Sequence, residues 1–305
     1  GAKFRYSPIG FYFGALVLFS TMWLIIVTYI FHFNEIMMGR RVKHSLINTW
    51  VSISALVFMF AIGIYQTENH KICQFFGISI HYLSLSVLLW ICVSVSNMYK
   101  RISRNDQIGS EEEMPREDQR IKKSVLGLYF VGYGIPSLIC GINSAVNIKE
   151  YASYTHCFMD TSSELGALFL PASILLFFLL IMFICIRFHL RNRVICNTHL
   201  SEGTEAMEID LLESNNTVNV NARSVRSLST QPTNSSADDL ESSPRTQLKS
   251  YIIVLVLYLL TWVSAGIAIS IPFNERVIYE EEIFSIAFAL FATFLGCFIT
   301  FFYGL

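Results

Sequence analysis

Seven long apolar stretches divide this 305-residue chain, and they constrain its fold more than any other feature. A helix needs about 20 mostly apolar residues to cross the hydrocarbon core of a bilayer. The stretches that reach this length are residues 9–33, 46–65, 72–99, 124–146, 165–187, 251–271 and 282–303. Because backbone donors and acceptors within lipid must be satisfied inside each segment, we predict an all-α bundle of seven transmembrane helices.

The charged residues lie almost wholly between these stretches and make up only 15% of the chain. In soluble domains about a quarter of the residues are charged. The net charge of −1 argues against a nucleic-acid partner, because nucleic-acid binding needs a basic surface. Membrane lipid is therefore the expected surrounding.

The positions of lysine and arginine predict the orientation, because these residues accumulate in cytoplasmic loops. Most of the 22 lysines and arginines lie inside when the amino terminus is placed outside. Several at the inner ends of the segments are candidates for contact with a cytoplasmic partner, and anchoring to anionic lipid is the alternative for each. These candidates are Arg40, Arg41, Lys100, Arg101, Arg187 and Arg191.

Residues 188–248 form a third inner loop that separates the first five segments (within residues 1–187) from the last two (within residues 249–305). The loop is rich in Ser, Thr, Asn, Glu and Asp, and we expect it to be disordered because it has too little apolar area to fold alone. The sequence Arg-Ser-Val-Arg-Ser-Leu-Ser makes Ser227 and Ser229 candidate phosphorylation sites. An unmodified linker is the alternative.

Two of the seven cysteines, Cys73 and Cys157, fall on the outer side in this topology. Cys73 directly precedes the third segment, and Cys157 lies between the fourth and fifth segments. Disulfides persist in oxidising compartments, and the other five cysteines are within segments or on the inner side. We predict a disulfide that holds the second outer loop over the bundle, with two free thiols as the alternative. The cysteine spacings favour no metal site.

His81 is the one ionisable residue well inside a predicted segment. We favour a hydrogen bond to a neighbouring helix over ligand contact. Transporters line their midplane with ionisable residues and contain internal repeats, and this sequence shows neither. The sequence contains no recognisable catalytic set and no cofactor motif, so we expect neither an enzyme nor a cofactor.

Aromatic and small residues inside the segments are candidates for packing between helices or for switching. Trp262 fits either role, and the sequence favours core packing. Small residues let helices approach closely, and a proline marks a bend. The remaining candidates are Tyr82, Trp90, Gly132, Gly134, Pro136 and Gly296.

Two motifs resemble those of adhesion G-protein-coupled receptors. Residues 132–139 read Gly-Tyr-Gly-Ile-Pro-Ser-Leu-Ile, which is similar to that family's Gly-x-Gly-x-Pro-x-x-Ile pattern in the fourth helix. His81, Tyr82 and Trp90 are similar to its His-Tyr pair followed by tryptophan in the third helix. Residues 77–100 and 134–151 resemble subfamily A most strongly.

The resemblance implies the seven-helix bundle of G-protein-coupled receptors in the plasma membrane. It also implies a missing ectodomain, a tethered activating segment before the first helix and a cytoplasmic tail for PDZ scaffolds, so we expect the chain to be part of a longer protein. The implied function is transmission of extracellular ligand or adhesion events to heterotrimeric G proteins or adaptors, with Wnt-related co-reception in some members. A non-signalling anchor for an adhesive ectodomain is the alternative.

Overall fold

The seven predicted segments are all helical in the computed structural model, which describes residues 9–36, 38–108, 125–152, 156–159, 165–214, 243–270 and 279–304. Within this part of the chain, seven helical stretches are long and apolar enough to cross a membrane. We name them the first to the seventh span: Ile9–Phe31, Arg40–Gly63, His70–Ser103, Leu126–Tyr151, Gly166–Arg193, Pro244–Ile269 and Glu282–Gly304. The predicted all-α seven-helix fold is confirmed.

Most spans are single α-helices that extend past the predicted segment on the cytoplasmic side. The helices of the first, second, third, sixth and seventh spans cover Ile9–Phe31, Arg40–Gly63, His70–Ile108, Pro244–Ser270 and Tyr279–Gly304. The second helix begins before the predicted start at residue 46 because polar residues continue a helix into the interface without lengthening its apolar core. Lys43 shows how, since its ammonium donates to the carbonyl of Phe33 and lies over the Phe33 ring.

The fourth span changes helix type along its length. It begins as the α-helix Leu126–Tyr129, widens into the π-helical turn Phe130–Gly134, and continues as the α-helix Ile135–Asn147 and the 3₁₀ turn Ile148–Tyr151. Pro136 is the second residue after the π turn and lacks the N–H that would bond the Gly132 carbonyl in an α-helix. The Ser86 hydroxyl of the third span donates to that carbonyl instead, at 3.0 Å.

The fifth span begins with a π-helical turn, Leu165–Phe169, followed by the α-helix Leu170–Ser214. This helix contradicts the predicted start of disorder at residue 188, and the sixth helix, which begins at Pro244, contradicts the predicted end at residue 248. Residues 200–214 include four glutamates and three leucines, and both residue types favour helix. Ser227 and Ser229 lie outside the described residues.

The third span is the centre of the bundle. It contacts the second, fourth, fifth and sixth spans, and 72% of its most apolar window is buried. The fifth span lies at the periphery, with only 11% of the corresponding window buried. A displacement of the third span therefore changes its packing against four neighbouring spans.

Close contacts join the first and seventh spans. A side chain at Gly14 would meet the backbone of Ala289, and one at Gly296 would meet the Thr21 hydroxyl. Small residues allow such close approach between helices in lipid. Gly296, a candidate from the sequence, therefore lies at a helix–helix contact.

Candidate functional site

The second outer loop folds inward and closes the outer end of the bundle. The predicted disulfide between Cys73 and Cys157 is present, with the two Cα atoms 4.8 Å apart. The backbone N–H of Cys157 donates to the carbonyl of Ile64 at 2.7 Å, which fixes the loop to the second span as well. We call residues 148–152 and 156–159 the outer lid; Tyr151, Cys157 and Met159 within it are fully buried.

A chain of hydrogen bonds runs beneath the outer lid through His81, which is itself fully buried. His81 Nε2 lies 3.0 Å from the carbonyl oxygen of Ala167, and His81 Nδ1 lies 2.8 Å from the Tyr151 hydroxyl. The Asn143 side-chain amide donates to that hydroxyl at 2.6 Å. We call His81, Asn143, Tyr151 and the Ala167 carbonyl the His81 network.

The network has one consistent arrangement of protons. A carbonyl oxygen only accepts, so His81 Nε2 carries the proton that bonds Ala167. The neutral imidazole then accepts at Nδ1, which receives the Tyr151 hydroxyl proton, and the Tyr151 oxygen accepts from Asn143. The network therefore joins the third span, the fourth span, the outer lid and the fifth span without a formal charge.

The acceptor at Ala167 has a simple origin in the sequence. In an α-helix the Ala167 carbonyl would bond the N–H of residue 171, which is a proline. The fourth span shows the same relationship between Gly132 and Pro136. In both cases the third span supplies the missing donor, from His81 and from Ser86. The two prolines thus create the acceptors that attach the fourth and fifth spans to the third.

Trp90 packs between the third and fourth spans, near the middle of the bundle. Its fully buried ring lies edge-on to Tyr129 and Tyr133, with ring centroids 5.5 and 5.2 Å away. Gly132 faces the same ring so closely that a Cβ there would overlap it, whereas a Cβ at Gly134 would only touch Phe130. The structure therefore places Trp90, Gly132 and the buried Pro136 together, with Gly134 beside them.

The other two aromatic candidates lie elsewhere. Trp262 is half-buried in an aromatic cluster with Phe60 and Phe288, at centroid distances of 5.3 and 5.9 Å. This cluster joins the second, sixth and seventh spans, in keeping with a core role. Tyr82 is half-buried and follows His81 on the third span.

Three side-chain hydrogen bonds connect the inner ends of the spans, and we call them the inner contacts. The Arg101 guanidinium donates to the Gln247 side-chain oxygen, joining the third and sixth spans. The Arg193 guanidinium donates to the Ile102 carbonyl at 2.9 Å, and the hydroxyls of Ser250 and Tyr303 lie 2.9 Å apart. These bonds hold the third, fifth, sixth and seventh spans together at their cytoplasmic ends.

The predicted coupling cations separate into groups. Arg101 belongs to the inner contacts, and Lys100 beside it is exposed. Arg187 and Arg191 are exposed on the fifth span and line one groove with residues of the sixth. The remaining two, Arg40 and Arg41, begin the second span and do not line that groove.

The sequence analysis missed the partners of several candidates. Tyr151 and Asn143 complete the His81 network, and Gln247 completes the pair with Arg101. Asn48 was also missed; it accepts from the Tyr133 hydroxyl at 2.9 Å and donates to the Tyr129 hydroxyl at 3.2 Å. The usable signal was an asparagine within an apolar segment, because a buried amide in lipid needs a partner.

Comparison with known proteins decides the family. The model of the family described as 7 transmembrane receptor (Secretin family) matches residues 11–299, nearly the whole chain. The chain belongs to this family. Its members are receptors, and this receptor is a multi-pass protein of the plasma membrane.

Several relatives are adhesion receptors of subfamily A. The receptor is 31% identical to human adhesion G protein-coupled receptor A3 over 87% of its own length and 20% of the relative's. It is 32% identical to the Danio rerio A3 receptor, over 93% of its own length and 21% of that receptor's length. It is 29% identical to the Mus musculus A1 receptor, over 90% of its own length and 46% of that receptor's length. It thus spans about a fifth to just under half of these relatives. The resemblance seen in the motifs is confirmed, and the chain corresponds to their transmembrane signalling region.

Proposed function

We propose that this seven-helix domain passes events outside the cell to a heterotrimeric G protein, with the third span as the connection. One observation carries the proposal: the third span supplies His81 to the network beneath the outer lid and Arg101 to the inner contacts. The same rigid helix therefore reaches the outer closure and the inner closure. The match to a family of receptors supports a receptor rather than an enzyme, and so does the lack of a recognisable catalytic motif in the sequence.

The inner contacts define the state that signalling has to change. A cytoplasmic protein can enter the bundle between the third and sixth spans only when the bond between Arg101 and Gln247 is broken. Hydrogen bonds to charged groups contribute about 1.5–3 kcal/mol, less where water has access. An outside event that favours the open state by a similar amount shifts the population about tenfold for each 1.4 kcal/mol.

The outer lid and the His81 network are the proposed receiving end. A ligand, or a tethered segment preceding the first span, would act by changing how the outer lid packs on His81. Because His81 also bonds the Ala167 carbonyl, a displaced outer lid alters the attachment of the fifth span. Lys100, Arg40 and Arg41 border the inner ends and are proposed to contact the cytoplasmic partner.

Three finer proposals follow, two from the subfamily and one from the basic, serine-rich sequence around Ser227. An ectodomain outside this chain would receive the extracellular signal, including a Wnt-related one. A cytoplasmic tail outside this chain would bind a PDZ scaffold. Ser227 and Ser229 would be phosphorylated between the fifth and sixth spans.

The test is second-messenger production by the full-length receptor in cells, measured for each G-protein class. We expect a signal above vector control in at least one class, and a higher basal signal for Gln247→Ala. Cys297→Ser is the matched control, because Cys297 is an exposed free cysteine on the seventh span. Silence in all classes for wild type and Gln247→Ala, with normal surface expression, would contradict the proposal and favour a non-signalling anchor for the ectodomain.

A further inference from the structure

A groove lies between the cytoplasmic ends of the fifth and sixth spans. Its volume is about 760 Å³, within the range of about 300–1,000 Å³ typical of small-ligand sites. Among the residues that the structure describes, two helices line it, through Leu180, Phe183, Ile184, Arg187, Leu190, Arg191, Arg245, Leu248, Lys249 and Ile252. We call it the inner groove.

The lining follows one stripe of each helix. On the fifth span the residues recur at intervals of three or four, from Leu180 to Arg191, and on the sixth span from Arg245 to Ile252. Such spacing places side chains on a single helix face, so two faces oppose each other across the inner groove. Each face is apolar toward the middle of the membrane and basic toward the cytoplasm.

The charge of the inner groove has one sign. Arg187, Arg191, Arg245 and Lys249 line it at the cytoplasmic end, and none of the described lining residues is acidic. All four cations are exposed. Four cations converging on one cleft at the inner membrane surface match a ligand with several negative charges.

The apolar part of the inner groove faces lipid. The side chains of Leu180 and Ile184 are 54% and 60% exposed, although they lie well within the fifth span. Exposed apolar side chains inside a membrane span contact acyl chains. A ligand that fits both parts therefore carries a polyanionic head and a hydrocarbon tail.

We propose that the inner groove binds an anionic phospholipid of the cytoplasmic leaflet whose headgroup carries more than one phosphate. The phosphates lie among Arg187, Arg191, Arg245 and Lys249, and one acyl chain lies along Leu180, Ile184 and Ile252. A soluble anion would leave the apolar wall unused. A G-protein segment entering beside Arg101 would use the interior of the bundle rather than this outward face.

Binding should depend on headgroup charge and on salt. Each lysine or arginine near an anionic membrane surface contributes roughly a fivefold factor in affinity. A headgroup with several phosphates therefore binds more tightly than phosphatidylserine, and rising ionic strength weakens both.

The test measures lipid binding to the full-length receptor in phosphatidylcholine nanodiscs, with a fluorescent phosphatidylinositol bisphosphate as probe. The groove variant is R187Q/R191Q/K249Q, and the control is R40Q/K100Q, which removes exposed inner cations outside the groove. We expect the groove variant to lose about 100-fold in affinity, because three cations are removed, and the control to change less than about threefold.

A second variant tests the apolar wall without changing charge. I184W fills the inner groove from a lipid-exposed position where no core packing is disturbed, and we expect it to weaken lipid binding about tenfold or more. Equal losses in the groove and control variants would overturn the proposal in favour of general surface charge. Soluble inositol trisphosphate that displaces the lipid completely at similar concentration would overturn the role of the acyl chain. Neither readout depends on signalling.

Discussion

The outer and inner ends of this bundle are closed in different ways. At the outer end a disulfide, a buried loop and the uncharged His81 network form one continuous closure, in which His81, Tyr151 and Cys157 are fully buried. At the inner end the spans are joined by the partly buried hydrogen bonds of the inner contacts, beside an open, cationic groove. The outer closure is suited to one stable arrangement, and the inner closure is suited to opening.

The difference has a physical basis in burial. A polar group that loses its partner in a buried site costs the full desolvation penalty, whereas a partly exposed group regains water. Changes at the outer end should therefore affect stability most, and changes at the inner end should affect signalling most. The following changes test that ordering, from the largest expected loss of stability to the smallest.

Removing the disulfide should lower the stability of the receptor the most. Cys73→Ser opens a bridge between residues 84 positions apart, and loss of a native disulfide typically costs about 2–5 kcal/mol. We expect a sharp fall in the folded fraction that reaches the cell surface and a lower melting temperature in detergent. Cys297→Ser should leave both unchanged, since that thiol is exposed and unbonded. Similar losses in both variants would show that the outer closure is not special.

A methyl group at Gly132 should separate the third and fourth spans. Its Cβ would overlap the Trp90 ring, and overpacking of this kind costs about 1–3 kcal/mol. Gly141→Ala on the same span is the control; its Cβ would meet open space, so better helix propensity should stabilise it slightly. The measurement is thermal unfolding of the purified receptor. If Gly132→Ala has the same melting temperature as wild type, the close contact with Trp90 does not exist.

Loss of the imidazole should break the His81 network. His81→Ala leaves the Tyr151 hydroxyl without its acceptor and the Ala167 carbonyl without its donor, and we expect the free energy of unfolding to fall by about 1–3 kcal/mol. The free energies for His81→Ala, Tyr151→Phe and the double variant should not add, because one network contains both residues. Chemical unfolding curves of the three variants supply the cycle.

The matched control for that network is a histidine at the inner end. His32 is exposed after the first span, so His32→Ala should change the free energy of unfolding by less than about 0.5 kcal/mol. Additive effects of His81→Ala and Tyr151→Phe would mean that the two residues act independently.

The inner contacts should give the smallest loss of stability and the clearest change in activity. Gln247→Ala removes the acceptor for Arg101 at a partly exposed site, so we expect the free energy of unfolding to fall by about 1 kcal/mol or less. Basal second-messenger production should rise. Cys297→Ser, which replaces an exposed free cysteine on the seventh span, is the control. A stability loss larger than that of His81→Ala would reverse the proposed ordering.

The sequence predicted the parts of this structure that depend on length, charge and compartment. Seven spans follow from the thickness of a bilayer, and the bond between Cys73 and Cys157 follows from their shared outer side. Trp90 and Gly132 were each predicted as candidates for packing between helices, although their mutual contact was not predicted. These features are properties of single segments.

The parts that were missed depend on how segments face each other. Tyr151 lies beyond the predicted fourth segment, within the outer lid, and its hydroxyl bonds His81, which no periodicity indicates. The pairing of Arg101 with Gln247 depends on the relative rotation of two distant helices. The helix that continues to Ser214 was missed because polar composition was interpreted as disorder, although the glutamates and leucines of this stretch favour helix.

The central claim is that the third span connects the His81 network to the inner contacts, and a distance measurement tests it most directly. Lys100 and Thr246 are exposed at the inner ends of the third and sixth spans, so cysteines placed there can carry spin labels. Cys185, Cys297 and Cys196, the last in the predicted third inner loop, are first replaced by serine so that they take no label.

The label-to-label distance is measured by pulsed electron resonance for this background, for Gln247→Ala and for His81→Ala. Gln247→Ala breaks the bond to Arg101 directly and supplies the reference distance for an opened inner end. We predict that His81→Ala, at the opposite end of the third span, shifts the distances toward the same longer values. An unchanged distance distribution in His81→Ala, beside a clear shift in Gln247→Ala, would contradict the connection through the third span.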